Sequence, residues 1–336
     1  MQTSREIQTK GTALWPYAAI ITVIAVLLMV ACKNTSLSGD RAKKGDQAQE
    51  INSAGYNSSS LFIYDLFSPD QRIILPPILT EISGICTYDS GRLAGVQDEQ
   101  GRVFIFRIND GKIEYTYNFA EDGDYEDITM AHKFIYVLKS NGDIYRIDPG
   151  KSGKNGITRF QTRLRSRNDC EGLTYVPHLD ALLIACKGSP SLDKHDPPGK
   201  YKAIYKFLFQ TADIDTVPFL IINTDEIGLD EPKDWYQGIS IKLANQLSQY
   251  GNIAFQPSGI ACHPVTHHYY ILAHVGKVII VASQTGEILQ ILPIDPAILR
   301  QPEGICFSDD GTLYIASEGA GTDPVLAVFR AKKDSR

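Results

Sequence analysis

The chain of 336 residues lacks the features of several common functional classes. Its 33 lysines and arginines are outnumbered by 39 aspartates and glutamates, which gives a net charge of −6. A nucleic-acid-binding protein needs a basic face that neutralises phosphates, so this charge balance argues against such a partner. Only three methionines and two tryptophans are present, whereas 17 tyrosines and 13 phenylalanines sit beside Ile and Val. Aromatic and β-branched residues favour strands, and we expect an all-β protein.

Several motifs that mark enzymes are also missing. No Gly-x-Ser-x-Gly sequence occurs, so nothing predicts the nucleophile elbow of a serine hydrolase. The stretch DPGKSGKNG at 148–156 lacks the first glycine of a phosphate-binding loop, and EDGDYED at 121–127 lacks the distal glutamate of an EF-hand. The histidines of HPVTHHYY fall between two strands, which favours a solvated turn over a transition-metal site. They are His263, His267 and His268.

One long apolar run, at 13–31, follows the basic residues Arg5 and Lys10. A positive start, an apolar stretch and a small residue before a cysteine are the parts of an export signal. The sequence MVAC resembles the lipobox of bacterial lipoproteins with Met29 in place of the usual leucine, so Cys32 would be acylated. We predict a lipoprotein signal peptide at 1–32. The alternative is an uncleaved membrane anchor, because about 20 apolar residues can just span a bilayer.

Residues 33–58 are rich in Ser, Gly, Asn, Lys and Asp and have little to bury, which is typical of a solvated tether. The folded domain is then 59–336. Both interpretations of the N-terminus place this domain outside the cytoplasm. We therefore expect a lipid-anchored protein of a bacterial cell envelope, with the membrane as a partner and the periplasm as a candidate location.

The folded domain repeats one short motif. Stretches such as QPSGIACHP and QPEGICFSD share a polar start, a central glycine and an apolar continuation. The central positions are separated by 43, 45, 87 and 45 residues, and short apolar strands follow each of them. A period in the mid-forties with about four strands per unit is typical of a β-propeller. The five central residues are Gly84, Asp127, Gly172, Gly259 and Gly304.

The repeat predicts a five-bladed β-propeller that is closed by its own N-terminal strand. The last unit ends after its third strand, and QRIILP at 71–76 supplies the fourth, so that no sheet edge stays exposed. The 87-residue gap leaves a six-bladed ring as the alternative. We favour five blades, because KLANQLSQYG at 242–251 is typical of a helix and indicates a partly helical insertion near 224–255.

Acidic residues recur at the start of the first strand and the end of the second strand of several blades. These places share one mouth of a propeller channel, because the second strand runs antiparallel to the first. Carboxylates that converge there repel one another unless a cation, a shared proton or a lysine such as Lys139 or Lys187 neutralises them. Oxygen ligands on strands suit Ca²⁺ better than Zn²⁺. We predict Glu126, Glu171 and Glu303 as calcium ligands, with Asp98, Asp169 and Glu318 as second candidates.

A structural role for the same glutamates is the alternative. Their side chains would hydrogen-bond backbone amides of neighbouring blades and hold the ring shut. Ser83 and Ser258 occupy the corresponding position in the other two blades.

Five cysteines follow Cys32 in the chain, and an odd number outside the cytoplasm leaves at least one unpaired or paired between chains. Cys170 and Cys186 flank one hairpin and would lie roughly opposite each other. The sequence leaves two alternatives, a cross-strand disulfide between them or a pair of buried thiols. The other three are interpreted as small buried apolar residues, namely Cys86, Cys262 and Cys306.

The motifs of the repeat resemble, in matching order, those of the SdiA-regulated protein family. They are EISGI, GVQDEQG, DYEDI, NDCEGL, LLIACK, PSGIACHP and QPEGICF, and the similarity covers most of residues 71–330. The resemblance implies a five-bladed propeller, an exported and often membrane-anchored location, and a calcium site formed by the acidic motif positions. It implies no activity. More distantly, the channel acids resemble those of lactonase-type calcium propellers, in which the metal polarises a carbonyl group.

Two functions are therefore open. The first is a lipid-tethered binding module whose calcium-organised mouth recognises a small ligand or another envelope protein. The second is a calcium-dependent hydrolase of a lactone or phosphoester, with Asp98, Lys187 or His274 handling protons. We favour the binding module, because the sequence offers a metal cage but no evident pair of base and nucleophile.

Overall fold

The computed structural model describes residues 64–332 except 152, 196–198, 225–226 and 228–254. The predicted signal peptide with Cys32 and the predicted tether at 33–58 lie outside the described residues, and so does nearly all of the predicted helical insertion. Within the described part, no helix is long and apolar enough to cross a membrane. The anchor therefore stays a prediction.

The strands of the described residues form five antiparallel sheets, and each sheet is one blade. Only three short 3-10 turns accompany them in this part of the chain, at Pro77–Leu79, Gly153–Gly156 and Pro177–Leu179. Blade 1 consists of β2 (Ile82–Asp89), β3 (Arg92–Gln97), β4 (Arg102–Arg107) and β5 (Ile113–Asn118). Blade 2 consists of β6 (Tyr125–Ala131), β7 (Phe134–Lys139), β8 (Ile144–Ile147) and β9 (Ile157–Phe160).

The remaining blades follow the same order, with the innermost strand first. Blade 3 consists of β10 (Cys170–Val176), β11 (Ala181–Cys186) and β12 (Tyr201–Leu208), with β13 (Asp213–Ile214) and β14 (Leu220–Asn223) both paired to β12. Blade 4 consists of β15 (Gln256–Cys262), β16 (Tyr269–Val275), β17 (Val278–Ala282) and β18 (Ile288–Pro293). Blade 5 consists of β19 (Pro302–Phe307), β20 (Leu313–Ser317), β21 (Val325–Phe329) and β1 (Gln71–Ile74).

The five innermost strands pack against one another in a closed ring, from β2 through β6, β10 and β15 to β19 and back to β2. The five-bladed β-propeller predicted from the repeat is thereby confirmed. The 87-residue spacing is explained by blade 3, whose outer strands reach Asn223 before the chain continues to β15 at Gln256. No sixth sheet exists among the described residues, so the six-bladed alternative is wrong there.

The N-terminal strand closes the ring, as the sequence predicts. Strand β1 pairs antiparallel with β21, and Gln71 lies opposite Val328 while Ile74 lies opposite Val325. The last blade thus has its fourth strand from the other end of the chain. This pairing covers the edge of β21, whose backbone groups would otherwise be open to another strand.

The hydrophobic core is divided into five parts, one between each pair of neighbouring blades. Ile105 of blade 1 and Val137 of blade 2 belong to one of them, and Ile184 of blade 3 and Tyr136 of blade 2 belong to the next. Because both faces of a blade are covered, its middle strands carry continuous apolar sequences such as ALLIAC in β11, in which every residue is buried.

The motif glycines bring neighbouring inner strands close together. A Cβ atom on Gly84 would lie 2.5 Å from the Cα atom of Asp127, and one on Gly259 would lie 2.5 Å from the carbonyl oxygen of Glu303. A side chain at either position would collide with the backbone of the next blade. The repeated glycine of the motif is therefore a packing requirement of the ring.

Candidate functional site

Each inner strand contains a β-bulge at the same place in the motif. In β6, for example, Tyr125 lies opposite Lys139 and Asp127 lies opposite Leu138, so that Glu126 has no partner of its own. A bulge turns the extra residue out of the regular alternation of the strand. The bulged residues of the five blades are Ser83, Glu126, Glu171, Ser258 and Glu303.

A cavity of about 400 Å³ lies where these bulges meet. All six acidic residues predicted from the sequence line it, together with Asp124, so that seven carboxyl groups face one space. The predicted proton-handling residues Lys187 and His274 line it as well. The structure therefore brings together every residue predicted for the site, although it does not test their role. The remaining lining residues are Ser83, Gln256, Ser258, Val275 and Gln301.

Sequence reasoning missed Asp124, Gln256 and Gln301 in this cavity. They share a position with Asp169, because each lies two residues before the bulged residue of its blade. The repeat contained the information needed to find them, because the first residue of every copy of the motif is Glu, Asp or Gln. A carbonyl or carboxyl oxygen at that position gives the cavity a second layer of acceptors.

Lys187 neutralises part of the acidic charge. Its Nζ lies 2.6 Å from Oε1 of Glu171 and 3.8 Å from Oδ2 of Asp169. Burial lowers the pKa of Lys187, but Glu171 and Asp169 outweigh this and raise it overall. The ammonium group is therefore charged at neutral pH. Lys139, the other lysine considered from the sequence, does not line the cavity, and its Nζ lies 5.5 Å from the ring centroid of Tyr125.

His274 forms the second contact between an acid and a base. Its Nδ1 lies 2.9 Å from Oε1 of Glu303, the bulged glutamate of blade 5. His274 lies near the end of β16 in blade 4, so this contact joins neighbouring blades. Glu171 and Glu303 thus each have a basic partner within the protein.

Two further acids of the cavity, Glu126 and Glu318, form no ion pair among the described residues, and their pKa values are raised. Burial, followed by repulsion from Glu171 and Asp124, raises the pKa of Glu126 to about 10. Burial and repulsion from Glu303 raise the pKa of Glu318 to about 8. Both groups are therefore protonated at neutral pH, because the cavity contains too little positive charge to stabilise their ionised forms.

Asp98 and Glu171 have pKa values closer to neutrality. Burial and repulsion from Glu81 raise the pKa of Asp98 to about 6. Burial raises the pKa of Glu171 to about 7, even though Lys187 acts in the opposite direction. In addition, Oδ1 of Asp98 is buried and has no hydrogen-bond partner among the described residues. A buried acceptor without a partner is a place where a cation or a donor group would be stabilised.

The donor set fits a hard cation, but the present side-chain positions do not gather it into one cage. The cavity offers mainly carboxyl oxygens, which are the ligands that Ca²⁺ prefers. Among the described residues, no group of three or more His, Cys, Asp and Glu side chains stands close enough to hold a metal ion. Calcium binding would therefore require side chains to move, including Glu171 away from Lys187 and Glu303 away from His274.

Among the bulged residues, the serines are the ones that hydrogen-bond the backbone of neighbouring blades. Ser83 donates from Oγ to the carbonyl oxygen of Tyr125 in the next blade at 2.6 Å, and Ser258 donates to that of Pro302 at 3.0 Å. Within the described ranges none of the three bulged glutamates has a bond to a backbone group of a neighbouring blade, although Glu303 contacts the imidazole of His274. Serine at this position locks blades together, whereas glutamate places a carboxyl group in the cavity.

The two cysteines next to this site lie directly opposite each other, as the hairpin predicts. Cys170 and Cys186 are partners in the ladder of β10 and β11, and their Sγ atoms are 4.0 Å apart. The structure contains them as thiols, and the disulfide stays a prediction. Cys86 and Cys306 are buried as expected, whereas Cys262 is half-buried.

No family model and no curated protein matches the chain. Similar solved structures are β-propeller proteins. A virginiamycin B lyase from Staphylococcus aureus is 17% identical, with 76% of this chain and 68% of that chain covered and a TM-score of 0.41. A glutaminyl cyclase from Myxococcus xanthus is 12% identical, with 78% and 95% covered and a TM-score of 0.47. These similarities show nothing about the function of this chain.

Proposed function

We propose that the protein is a binding module of the cell envelope whose central cavity takes a divalent cation, with Ca²⁺ as the ion that fits its ligands best. The observation that carries the proposal is the meeting of carboxyl groups from several blades in one cavity, where burial raises the pKa values of Asp98, Glu126, Glu171 and Glu318. Among the described residues, seven carboxyl groups face only one lysine and one histidine in this space. The cavity is therefore short of positive charge.

A divalent cation would supply the missing charge. Burial and repulsion raise the pKa values of Glu126 and Glu318 above neutrality, and a divalent cation that replaced their protons would relieve this repulsion. The residues that would hold it are Glu126, Glu171 and Glu303 from three blades, with Asp98, Asp169 and Glu318 beside them. A bound ion would then be the contact point for an anionic or carbonyl group of a ligand.

The proposal also covers where the protein is located and to which family it belongs. The predicted signal peptide and lipobox at Cys32 support export and lipid anchoring, with the tether at 33–58 holding the propeller away from the membrane. The motif resemblance supports membership of the SdiA-regulated protein family. The ligand would be a small molecule or another envelope protein.

A calcium-dependent hydrolase is the second candidate, and one observation favours it. Asp98 and Glu171 both line the cavity, and their pKa values are about 6 and about 7. A group whose pKa lies near neutrality can accept or donate a proton during a reaction. In that function Asp98 would act as the proton acceptor and the charged Lys187 would stabilise negative charge on the substrate. Calcium-dependent cleavage of simple esters or lactones by the purified protein would select this function.

Calcium titration by calorimetry tests the cation site, and Glu126→Gln is the most informative variant. Glutamine has the shape of the protonated acid that the cavity already holds, so the variant should fold as stably as the wild type without calcium. It removes one proposed ligand, and we expect calcium binding to weaken by about tenfold or more. The matched control is Glu114→Gln on the outer strand β5, an exposed residue that contacts Arg92 and Arg107.

The control should bind calcium like the wild type. Absence of any calcium binding in the wild-type protein would overturn the proposal. Equal weakening in both variants would show that the effect comes from overall charge and not from the cavity.

A further inference from the structure

Histidines gather at the ends of the strands that lie away from the acidic cavity. Five of the seven histidines lie in the turns between the first and second strands of three consecutive blades. These turns stand at the far ends of the inner strands from the bulges. The five are His132 in blade 2, His178 in blade 3, and His263, His267 and His268 in blade 4.

Two of these histidines are occupied by structural contacts. Nδ1 of His263 accepts from the backbone amides of Val265 and Thr266 at 3.2 Å, and its Nε2 lies 2.9 Å from the hydroxyl of Tyr64. His263 is fully buried, so the prediction of a solvated turn is wrong for this residue. It folds the turn. His132 is occupied in a similar way, because its Nε2 lies 2.7 Å from Oδ1 of Asp180.

His178 and His267 face each other across the boundary between blades 3 and 4. Their ring centroids are 5.0 Å apart and the planes are inclined at 57°. The backbone of His267 is left-handed, with φ of 57°, and its amide donates to the carbonyl oxygen of His263 at 3.0 Å. Neither imidazole has a hydrogen bond or ion pair within the described residues.

His268 follows His267 directly in the chain. Its Nδ1 is buried and has no hydrogen-bond partner among the described residues. Burial, followed by the neighbouring His267, lowers the pKa of both His178 and His268.

We propose that His178 and His267 together bind a divalent transition-metal ion that favours imidazole nitrogen, with water completing its coordination. A metal such as Zn²⁺ lies about 2.0–2.1 Å from each histidine nitrogen, which places the centroids of two rings on one ion roughly 5 Å apart. The observed separation matches this arrangement. The residues come from two blades, so the ion would link the turns of blades 3 and 4. The site is independent of the acidic cavity in residues and in ligand chemistry.

Zinc titration of the untagged full-length protein tests this site. The titration is run with excess calcium present, so that the acidic cavity does not contribute. We expect the wild type to bind Zn²⁺, and both His178→Ala and His267→Asn to weaken binding by about tenfold or more, since each removes one of two protein ligands. Asparagine is chosen at 267 because it tolerates the left-handed backbone.

His195→Ala is the matched control, because His195 is exposed and lies in the connection between β11 and β12. It should bind zinc like the wild type. The proposal is overturned if the wild type binds no zinc in excess calcium. It is also overturned if either His178→Ala or His267→Asn binds zinc like the wild type. An unchanged unfolding midpoint of the two variants in urea shows that any loss is not due to misfolding.

Discussion

Asp127 is the residue at which blade 2 departs from the glycine found at the same motif position in the other four blades. Its side chain is almost fully buried, and its carboxyl oxygens accept from the backbone amides of Leu173 at 2.6 Å and Ile128 at 2.8 Å. Burial raises its pKa well above the usual range for an aspartate. The bond to Leu173 joins blade 2 to blade 3, so an acid here holds the ring together and does not enter the cavity.

Replacing Asp127 by alanine should destabilise the propeller. The amide of Leu173 would lose its acceptor in a buried place, and a buried unpaired donor costs about 1–3 kcal/mol. The free energy of unfolding in urea measures the effect. Asp323→Ala is the control, because this aspartate is exposed and its loss should change stability by no more than about 0.5 kcal/mol. Equal stability of the two variants would show that the inter-blade bond contributes nothing.

Glu318 gives the stability a defined dependence on pH. Its pKa is about 8 in the folded protein against an ordinary value of 4.5. The folded state therefore holds the proton more tightly than the unfolded chain does. Stability from this group is complete below pH 4.5, falls as the pH rises through the window up to about 8, and levels off above it.

Urea unfolding without calcium, repeated across this range of pH, measures the slope. Glu318→Gln should unfold with a smaller loss of stability between acid and alkaline pH than the wild type, since glutamine does not titrate. An identical slope in wild type and variant would contradict the raised pKa.

Among the elements, β1 decides whether the ring is closed. Ile73 of this strand is buried against blades 1 and 5, whereas its neighbour Ile74 is 61% exposed. The two residues therefore provide a matched pair. We expect Ile73→Ala to lower the free energy of unfolding by about 2–5 kcal/mol, as for other buried large-to-small changes. Ile74→Ala should change it by no more than about 0.5 kcal/mol.

Urea unfolding of both variants tests the closure directly. Similar losses in the two variants would mean that β1 does not pack as a blade strand. A loss confined to Ile73 would show that the N-terminal strand is part of the cooperative fold.

Much of the fold at the level of elements could be predicted from the sequence. The period of the motif, the four strands per unit and the borrowed strand at 71–76 all follow from local patterns of apolar residues and turns. The division of the outer part of blade 3 between β13 and β14 could not be predicted, because it depends on pairing with β12 across a turn. Neither short strand has a pattern of its own.

The candidate site was only partly predictable for a physical reason. Glu126, Glu171 and Glu303 stand out because they recur at one motif position, and the shared fold forces them to meet. Their partners depend on side-chain directions. The sequence does not reveal that Glu171 pairs with Lys187, that Glu303 pairs with His274, or that the bulge turns these residues into the cavity.

At the scale of the whole molecule, the propeller has two chemically distinct ends. The bulges of five blades place carboxyl groups in one cavity, and the turns at the far ends of the same strands place histidines from neighbouring blades together. The blades between them are apolar on both faces. Each end therefore depends on the ring for its geometry, because no single blade contains either cluster.

The central claim is that carboxyl groups from different blades share one cavity in which a divalent cation relieves their repulsion. Diffraction from crystals grown with calcium tests it most directly, through the position of the ion. We predict an ion in the cavity bound by carboxylates of at least two blades, with Glu171 moved from Lys187 or Glu303 moved from His274. Crystals in which calcium occupies only surface positions while both contacts stay intact would contradict the claim.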